Sequence, residues 1–343
     1  MSDCMANHEE CEEPIRTQLP KRIIDLGQNH DNNEMKLVET SRSTSTYAAL
    51  SHCWGKHCPL STTTSSLSLR KQKLEWISLP STFKDAVTVT RRLGLRYLWI
   101  DSLCIIQDDN VDWQTESAKM GAYYRNAHIV IAASSSPDPT YSFLGPRQTA
   151  VPHPFKLDIQ HDDGSICKIR ARPVVKTGLS LDPLDKRAWT FQEQYLAIRL
   201  LRFTGSELVW NCRTRASCEC RSRHLSTPGD AINMMALGRY CTSITNAYPA
   251  QKLFTMWQGM IYSYTRRQLT KRSDKLPAIS GIAALVQQRT GSSYIAGLWK
   301  DNIVHDLRWN TAPSMISFPN FSTDVPANHD ITKLFDFPQL RTS

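Results

Sequence analysis

The stretch YLWIDSLCIIQDD, residues 97–109, joins a short apolar run to an aspartate, a cysteine and two further aspartates. Its first four residues are predominantly apolar without alternation, which is typical of a strand that is covered on both faces. Ligands of open parallel sheets gather at the carboxyl ends of the strands. We therefore predict that residues 97–100 belong to the core and that Asp101 faces whatever this edge of the sheet binds.

Strand and helix patterns alternate around this stretch. YAALS (47–51) and HIVIAA (128–133) are further short apolar runs, and apolar residues at helical spacing predict helices over 82–94 and, with Asp112 as the N-cap, over 112–127. This alternation is the pattern of an α/β protein with a parallel sheet. Residues 184–212 predict a helix, a turn at Thr204-Gly205 and a strand over 207–210, and residues from about 230 to 290 predict a mainly helical C-terminal region.

Composition and periodicity divide the chain into four regions. Residues 1–46 have no apolar periodicity, and we expect them to be loosely ordered. Residues 47–212 form the predicted α/β domain, in which 137–184 have the composition of an insertion with a hairpin. A basic loop and a helical region follow over 213–310, and we expect 311–343 to be a disordered or truncated tail.

The totals indicate a folded intracellular protein. Hydrophobic residues make up 41% and charged residues 21% of the 343, which is close to the average of globular proteins. The N-terminus is acidic and polar, unlike a signal peptide, and no apolar run approaches the roughly 18 residues of a membrane span. We expect a cytoplasmic protein without membrane contact, whose ten cysteines are thiols. The net charge of +9 permits a phosphate-bearing ligand, but without a tight Lys/Arg block we do not expect nucleic acid binding.

Small or polar residues follow each of the first three predicted strands. Ser51 to Gly55 come after the first, Asp101 to Cys104 after the second and Ser134 to Ser136 after the third. Since the carboxyl ends of parallel strands share one edge of a sheet, these side chains should meet there. A cysteine nucleophile is a further alternative, because Cys53 follows a histidine directly, although adjacent side chains rarely face each other.

A second group of candidate residues lies beyond the predicted domain. Cys212, Cys218, Cys220 and His224 supply enough ligands for tetrahedral zinc, although their spacing lacks the usual paired C-x2-C arrangement. The alternative is a flexible arginine-rich loop with free thiols. A zinc-stabilised basic loop would favour a nucleic-acid-binding protein.

Three blocks of the chain resemble the heterokaryon incompatibility (HET) domain of filamentous fungi: YAALSHCWG (47–55), residues 93–134, and RAWTFQEQYLAIRLL (187–201). The resemblance implies a role in fungal non-self recognition and programmed cell death, with a second copy of the domain or other incompatibility proteins as partners. HET domains are distantly similar to TIR domains, which self-associate and in some lineages cleave NAD. The resemblance thus implies a parallel-sheet, TIR-like fold and NAD as a candidate substrate.

Laid on the TIR plan, Glu193 takes the place of the catalytic carboxylate. Asp101 would assist it, Ser51, Gly55 and Cys104 would line the ligand site, and Trp54 and Trp189 would serve as stacking walls. Cleavage of a glycosidic bond needs a carboxylate that stabilises positive charge on the sugar.

Each of these residues also has a structural interpretation. Glu193 could pair with Arg187 or Arg199, Asp101 could cap the following turn, and the tryptophans could be core aromatics. Two mechanisms therefore stay open: NAD cleavage, and a non-enzymatic module that signals by self-association.

Overall fold

The computed structural model describes residues 1–11, 17–28, 34–41, 43–56, 60–147, 155–160, 164–171, 182–219 and 249–308. The strands of these segments are β1 (Thr17–Gln18), β2 (Arg22–Asp25), β3 (Lys36–Glu39), β4 (Thr44–Ser45), β5 (Tyr47–Ser51), β6 (Tyr97–Ile100), β7 (Ile129–Ala132), β8 (Phe155–Gln160), β9 (Ile166–Ala171), β10 (Arg199–Phe203), β11 (Leu208–Cys212), β12 (Ala216–Cys218), β13 (Tyr294–Ile295) and β14 (Leu298–Trp299). The α-helices are α1 (Ser2–Asn7), α2 (Leu67–Gln72), α3 (Ser81–Arg92), α4 (Asp101–Cys104), α5 (Asn110–Asn126), α6 (Thr190–Leu196), α7 (Ala250–Thr265), α8 (Ser280–Thr290) and α9 (Ile303–Asp306). Short 3-10 turns cover Glu9–Cys11, Trp76–Ser78, Pro183–Lys186, Arg272–Lys275, Pro277–Ile279 and Lys300–Asn302.

The main sheet is mixed. Within the described part of the chain it has eight strands in the order β12-β11-β10-β7-β5-β6-β2-β3. Its centre is parallel, because β5 pairs in parallel with both β6 and β7, and β7 pairs in parallel with β10. The flanks are antiparallel, with β2 and β3 beyond β6 and with β11 and β12 beyond β10. An α/β fold is confirmed, but the prediction of a parallel sheet holds only for the centre.

The predicted central strands form where the sequence is continuously apolar. Every residue of β5 and β7 is buried, as expected for strands with a partner on each side. The helix between β5 and β6 is α3, and the helix between β6 and β7 is α5. These crossovers place the carboxyl ends of β5, β6 and β7 at one edge of the sheet.

Residues 184–212 hold one more element than the sequence predicts. The helix α6 ends at Leu196, and β10 follows at once where we expected the helix to continue. The strand forms because it has a parallel partner in β7 and an antiparallel partner in β11, to which a short turn connects it. Pairing within the sheet overrides the local helical pattern here.

The N-terminal region is more ordered than we expected. All four residues of β2 are buried, and β2 and β3 extend the main sheet beyond β6. The buried charge of Arg22 makes this strand difficult to predict, because its guanidinium pairs with the carboxylate of Asp112, which lies in α5. Lys21 and the backbone N–H of Ile106 also donate to that carboxylate.

The remaining predicted regions are described in part. Within the predicted insertion 137–184, β8 and β9 form an antiparallel hairpin of their own. Residues 1–306 form one compact unit, and of the second unit, 307–343, only the first two residues are described. The predicted tail 311–343 lies outside the described residues, and the boundaries at 46, 212 and 310 stay predictions. None of the described helices combines the length and the apolar character that a membrane crossing requires.

A second hydrophobic core lies between α6, α7, α8 and β14. It contains Phe191, Trp257 and Trp299, all of them fully buried. The helices α5 and α8 approach each other closely at Gly121 and Gly281, where a Cβ on either glycine would lie 2.9 Å from the other's Cα. The second core therefore packs against α5 through a contact between two glycines that leaves no room for a side chain.

Candidate functional site

Ser51 and Glu193 meet at the carboxyl end of β5. Ser51 is the last residue of that strand, and its hydroxyl donates a hydrogen bond of 2.5 Å to Oε2 of Glu193 in α6. The two residues are 142 positions apart in the sequence. Ser51 is 0% exposed and Glu193 3% exposed, so the pair is sealed between the strand and the helix.

Asp101 lies at the end of the neighbouring strand β6. Its Oδ2 accepts a hydrogen bond of 2.9 Å from the indole N–H of Trp54, and its Oδ1 accepts one of 2.7 Å from the backbone N–H of Ser102. The second bond is the turn-capping role that the sequence allowed for this residue. Nδ1 of His52 lies 3.7 Å from Oδ1, which is too far for a hydrogen bond.

The carboxyl group of Glu193 has a raised pKa. Burial raises its pKa to about 7, and the negative charge of Asp101 acts in the same direction. The Ser51 hydrogen bond and the positive charge of Arg187 oppose this rise. Ser51, Asp101 and Glu193 therefore form one electrostatically coupled group, which we call the carboxylate cluster.

Arg187 and Tyr124 also act on Glu193, although no sequence pattern pointed to Tyr124. The Tyr124 hydroxyl lies 3.1 Å from the carbonyl oxygen of Leu50 and is also within hydrogen-bond reach of Glu193, so its single proton can serve either acceptor. Arg187 donates to the carbonyl oxygen of His52. Tyr124 projects from α5, and only the packing of that helix on the sheet brings it to Glu193.

His52 is a further titratable group beside the cluster, at the edge of the sheet where the sequence placed it without a specific role. Burial lowers the pKa of its imidazole to about 4, and Arg187 adds to the decrease while Asp101 opposes it. The ring packs edge-on against Phe83 with 5.0 Å between centroids. Neither ring nitrogen has a hydrogen-bond partner among the residues that the structure describes. His52 is therefore held neutral beside a carboxylate.

The predicted ligand-binding residues separate into two groups. Trp54 joins the cluster through Asp101, and Gly55 forms the turn beside it with φ +68°, where a Cβ would lie 2.5 Å from the side chain of Asp138. Cys104 lies in the core at 1% exposure, and burial raises its pKa to about 12. Trp189 is partly buried and donates to Asp274, a residue of the C-terminal helical region.

Arg199, a predicted partner of Glu193, binds backbone carbonyl groups, and Cys53, the candidate nucleophile, is buried. Arg199 is the first residue of β10, the strand that follows α6, and it donates to the carbonyl oxygens of His128 and Cys11. Burial raises the pKa of Cys53 to about 11, which is opposite to what a nucleophilic thiol requires.

The predicted metal ligands do not form one site in the described segments. Cys218 is disulfide-bonded, which corrects our expectation that all cysteines are thiols and removes this sulfur as a ligand. Cys220 and His224 lie outside the described residues. Cys212 remains a free thiol, and its sulfur lies with Cys4, His8 and Cys11 of the N-terminal segment.

One known family matches the region that contains the central strands and the cluster. Residues 47–193 match the family model of the heterokaryon incompatibility protein (HET). Searches of curated proteins and of solved structures returned no match. The matched region starts at the first residue of β5 and ends at Glu193, so it spans the elements that bring Ser51, Asp101 and Glu193 together. The chain therefore contains a heterokaryon incompatibility domain.

Proposed function

We propose that this chain acts in fungal vegetative incompatibility, where it signals non-self recognition and programmed cell death, and that its carboxylate cluster hydrolyses NAD. The observation that carries the proposal is the meeting of Ser51, Asp101 and Glu193 at one edge of the sheet, with the pKa of Glu193 raised to about 7. Groups with such shifted pKa values concentrate at functional sites.

The reaction needs little from the protein beyond a placed carboxylate. The bond between C1′ of the ribose and the nicotinamide nitrogen breaks, and its electron pair leaves with the neutral nicotinamide. The positive charge that develops on the ribose is stabilised by the ionised carboxylate of Glu193. Water then adds to C1′ and loses its proton, which gives ADP-ribose. A pKa near neutrality leaves a large share of Glu193 ionised at pH 7.

Substrate access depends on the loop after β5. Glu193 is buried, whereas Trp54 is partly exposed and Gly55 is exposed. The indole of Trp54 covers Asp101, to which it is hydrogen-bonded. Displacement of this loop is therefore the movement that would open the cluster to a ribose, in the way that mobile loops gate other active sites.

A second candidate function is a self-associating module without turnover. The complete burial of the bond between Ser51 and Glu193 favours it, because a serine–carboxylate pair sealed from solvent can serve to fix α6 against β5. Under this proposal the signal depends on assembly of HET domains, and the cluster only holds the fold.

The decisive experiment measures release of nicotinamide. The purified chain is incubated with NAD, and nicotinamide and ADP-ribose are quantified by chromatography. We expect Glu193→Gln, which keeps the shape of the side chain, to reduce turnover at least about 100-fold. The matched control is Glu75→Gln, because Glu75 is an exposed glutamate in a surface ion pair with Lys73. Turnover that persists in Glu193→Gln would refute the proposed catalytic role.

The two candidate functions also differ in a cell. We expect expression of the wild-type chain in a filamentous fungus to arrest growth, and expression of Glu193→Gln to have no effect if cleavage carries the signal. Growth arrest by a correctly folded Glu193→Gln variant, together with self-association in light scattering, would instead establish the module.

A further inference from the structure

Four metal-ligating side chains, three from the N-terminal segment and one from β11, come together in the structure. Cys4 lies on α1, His8 follows that helix, Cys11 ends the next 3-10 turn, and Cys212 is the last residue of β11. Their sulfur and imidazole nitrogen atoms all lie within 4.8 Å of one another. The three cysteines are free thiols and are buried.

The spacing of these atoms fits a tetrahedral ion. Zinc bonds of about 2.3 Å to sulfur and about 2.0–2.1 Å to nitrogen imply edges of roughly 3.8 Å between two sulfurs and roughly 3.6 Å between sulfur and nitrogen. The sulfur of Cys212 lies 3.4 Å from Nδ1 of His8, close to such an edge. Three thiolates and one imidazole form one of the usual ligand sets of structural zinc sites.

Neighbouring groups form hydrogen bonds or close contacts with three of the four residues. The backbone N–H of Arg215 donates to the sulfur of Cys212 at 3.2 Å, and the hydroxyl of Thr214 lies 3.6 Å from the sulfur of Cys11. Arg199 donates to the carbonyl oxygen of Cys11 and lies beside Cys4. Three thiolates with Zn²⁺ carry one net negative charge, which the guanidinium of Arg199 beside Cys4 would offset. Such outer contacts orient metal ligands in known sites.

Few apolar side chains hold the N-terminal segment in place. Within the described part of the chain, the hydrophobic cluster at this position consists of Cys4, Cys11, Ile198 and Cys212, with Trp210 packed against it. A helix of the length of α1 is not stable alone in water. Metal binding supplies free energy of folding directly where the core is small.

We propose that Cys4, His8, Cys11 and Cys212 bind one structural Zn²⁺, which fastens the N-terminal segment to β11. All four positions are filled by protein ligands, so the site is closed and has a structural role. It shares Cys212 with the ligand set that the sequence suggested, but its other three ligands come from the N-terminal segment. It is also independent of the carboxylate cluster and of the proposed hydrolysis.

The test measures the metal content of the full chain. The protein is produced with zinc in the medium and purified without chelators, and metal is quantified by mass spectrometry. We expect about one zinc ion per chain, and loss of most of it in His8→Ala and in Cys11→Ser. The matched controls, which should keep their zinc, are Cys167→Ser, since Cys167 is an exposed free thiol, and His224→Ala, which removes a ligand of the other set.

A second measurement separates loss of the site from loss of the fold. With Co²⁺ in place of zinc, the wild-type chain should show the intense absorption of a tetrahedral site together with thiolate charge-transfer bands, which Cys4→Ser should weaken by about one third. Full zinc content in His8→Ala would overturn the proposal. Protein without zinc, whose Cys11 and Cys212 are found by peptide mapping to be joined in a disulfide, would overturn it as well.

Discussion

Replacing Glu193 by glutamine should change how the stability of the protein depends on pH. The pKa of this carboxyl group is about 7 in the folded state, against 4.5 for an unperturbed group. Between these values the folded state keeps the proton and the unfolded state loses it, so the free energy of unfolding falls as pH rises. A shift from 4.5 to about 7 corresponds to about 3 kcal/mol at about 1.4 kcal/mol per unit.

His52 produces the opposite trend over almost the same range. Its pKa is about 4 in the folded state, against 6.5 for an unperturbed imidazole, so here the unfolded state binds the additional proton. The free energy of unfolding therefore rises between about pH 4 and pH 6.5, by about 3 kcal/mol. In the wild-type protein the two contributions nearly cancel. The glutamine variant keeps only the rise that His52 causes.

Urea unfolding followed by tryptophan fluorescence, at steps between about pH 4 and pH 8, measures this effect. We expect the free energy of unfolding of Glu193→Gln, relative to wild type, to increase across this range by about 3 kcal/mol. The surface variant Glu75→Gln should instead follow the wild-type profile. Parallel profiles for Glu193→Gln and wild type would show that Glu193 titrates normally in the folded state, and the electrostatic account of the cluster would be wrong.

Three further substitutions test the scaffold by urea unfolding at neutral pH. Asp112→Ala should lower the free energy of unfolding by about 3–5 kcal/mol, because the buried guanidinium of Arg22 loses its carboxylate; a loss below about 1 kcal/mol would mean that water replaces the partner. Gly281→Ala should cost about 1–3 kcal/mol, because its Cβ would lie 2.9 Å from the backbone of α5, and an unchanged stability would show that the helices can separate freely. Gly55→Ala should cost more than Gly94→Ala, since both glycines have positive φ but only the first lacks space for a Cβ; equal losses of about 1–2 kcal/mol would contradict this.

The central strands could be predicted because each buried strand corresponds to a short, continuous run of mostly apolar residues. The apolar runs at 47–51, 97–100 and 128–133 became β5, β6 and β7. The helix that we expected behind Asp112 is also present, but its N-cap is Asp109, which accepts from two backbone N–H groups. Asp112 satisfies the capping pattern in sequence, yet its carboxylate is used by a buried arginine of β2. Only the tertiary structure distinguishes these two roles.

The grouping of the candidate site residues was predictable to the same degree. The rule that ligands lie at the carboxyl ends of parallel strands is sufficient to group Ser51 with Asp101, and the family resemblance adds Glu193. Tyr124 could not be predicted, because its position depends on how α5 packs on the sheet. The cysteines of the proposed zinc site show the same limit. Spacing along the chain favoured neighbours of Cys212, whereas the fold brings Cys212 to residues about two hundred positions earlier.

The position of Glu193 depends on residues beyond the matched domain. One part of α6 faces β5 through Glu193, while Phe191 is buried in the second core with α7 and α8. The side-chain oxygen of Gln192 accepts a hydrogen bond of 3.1 Å from the backbone N–H of Gly281, which joins α6 to α8. Since packed helices shift together, a displacement of α8 would also move Glu193 relative to Ser51. The C-terminal helices are thus part of the scaffold of the carboxylate cluster, and the geometry of the cluster is a property of the compact unit as a whole.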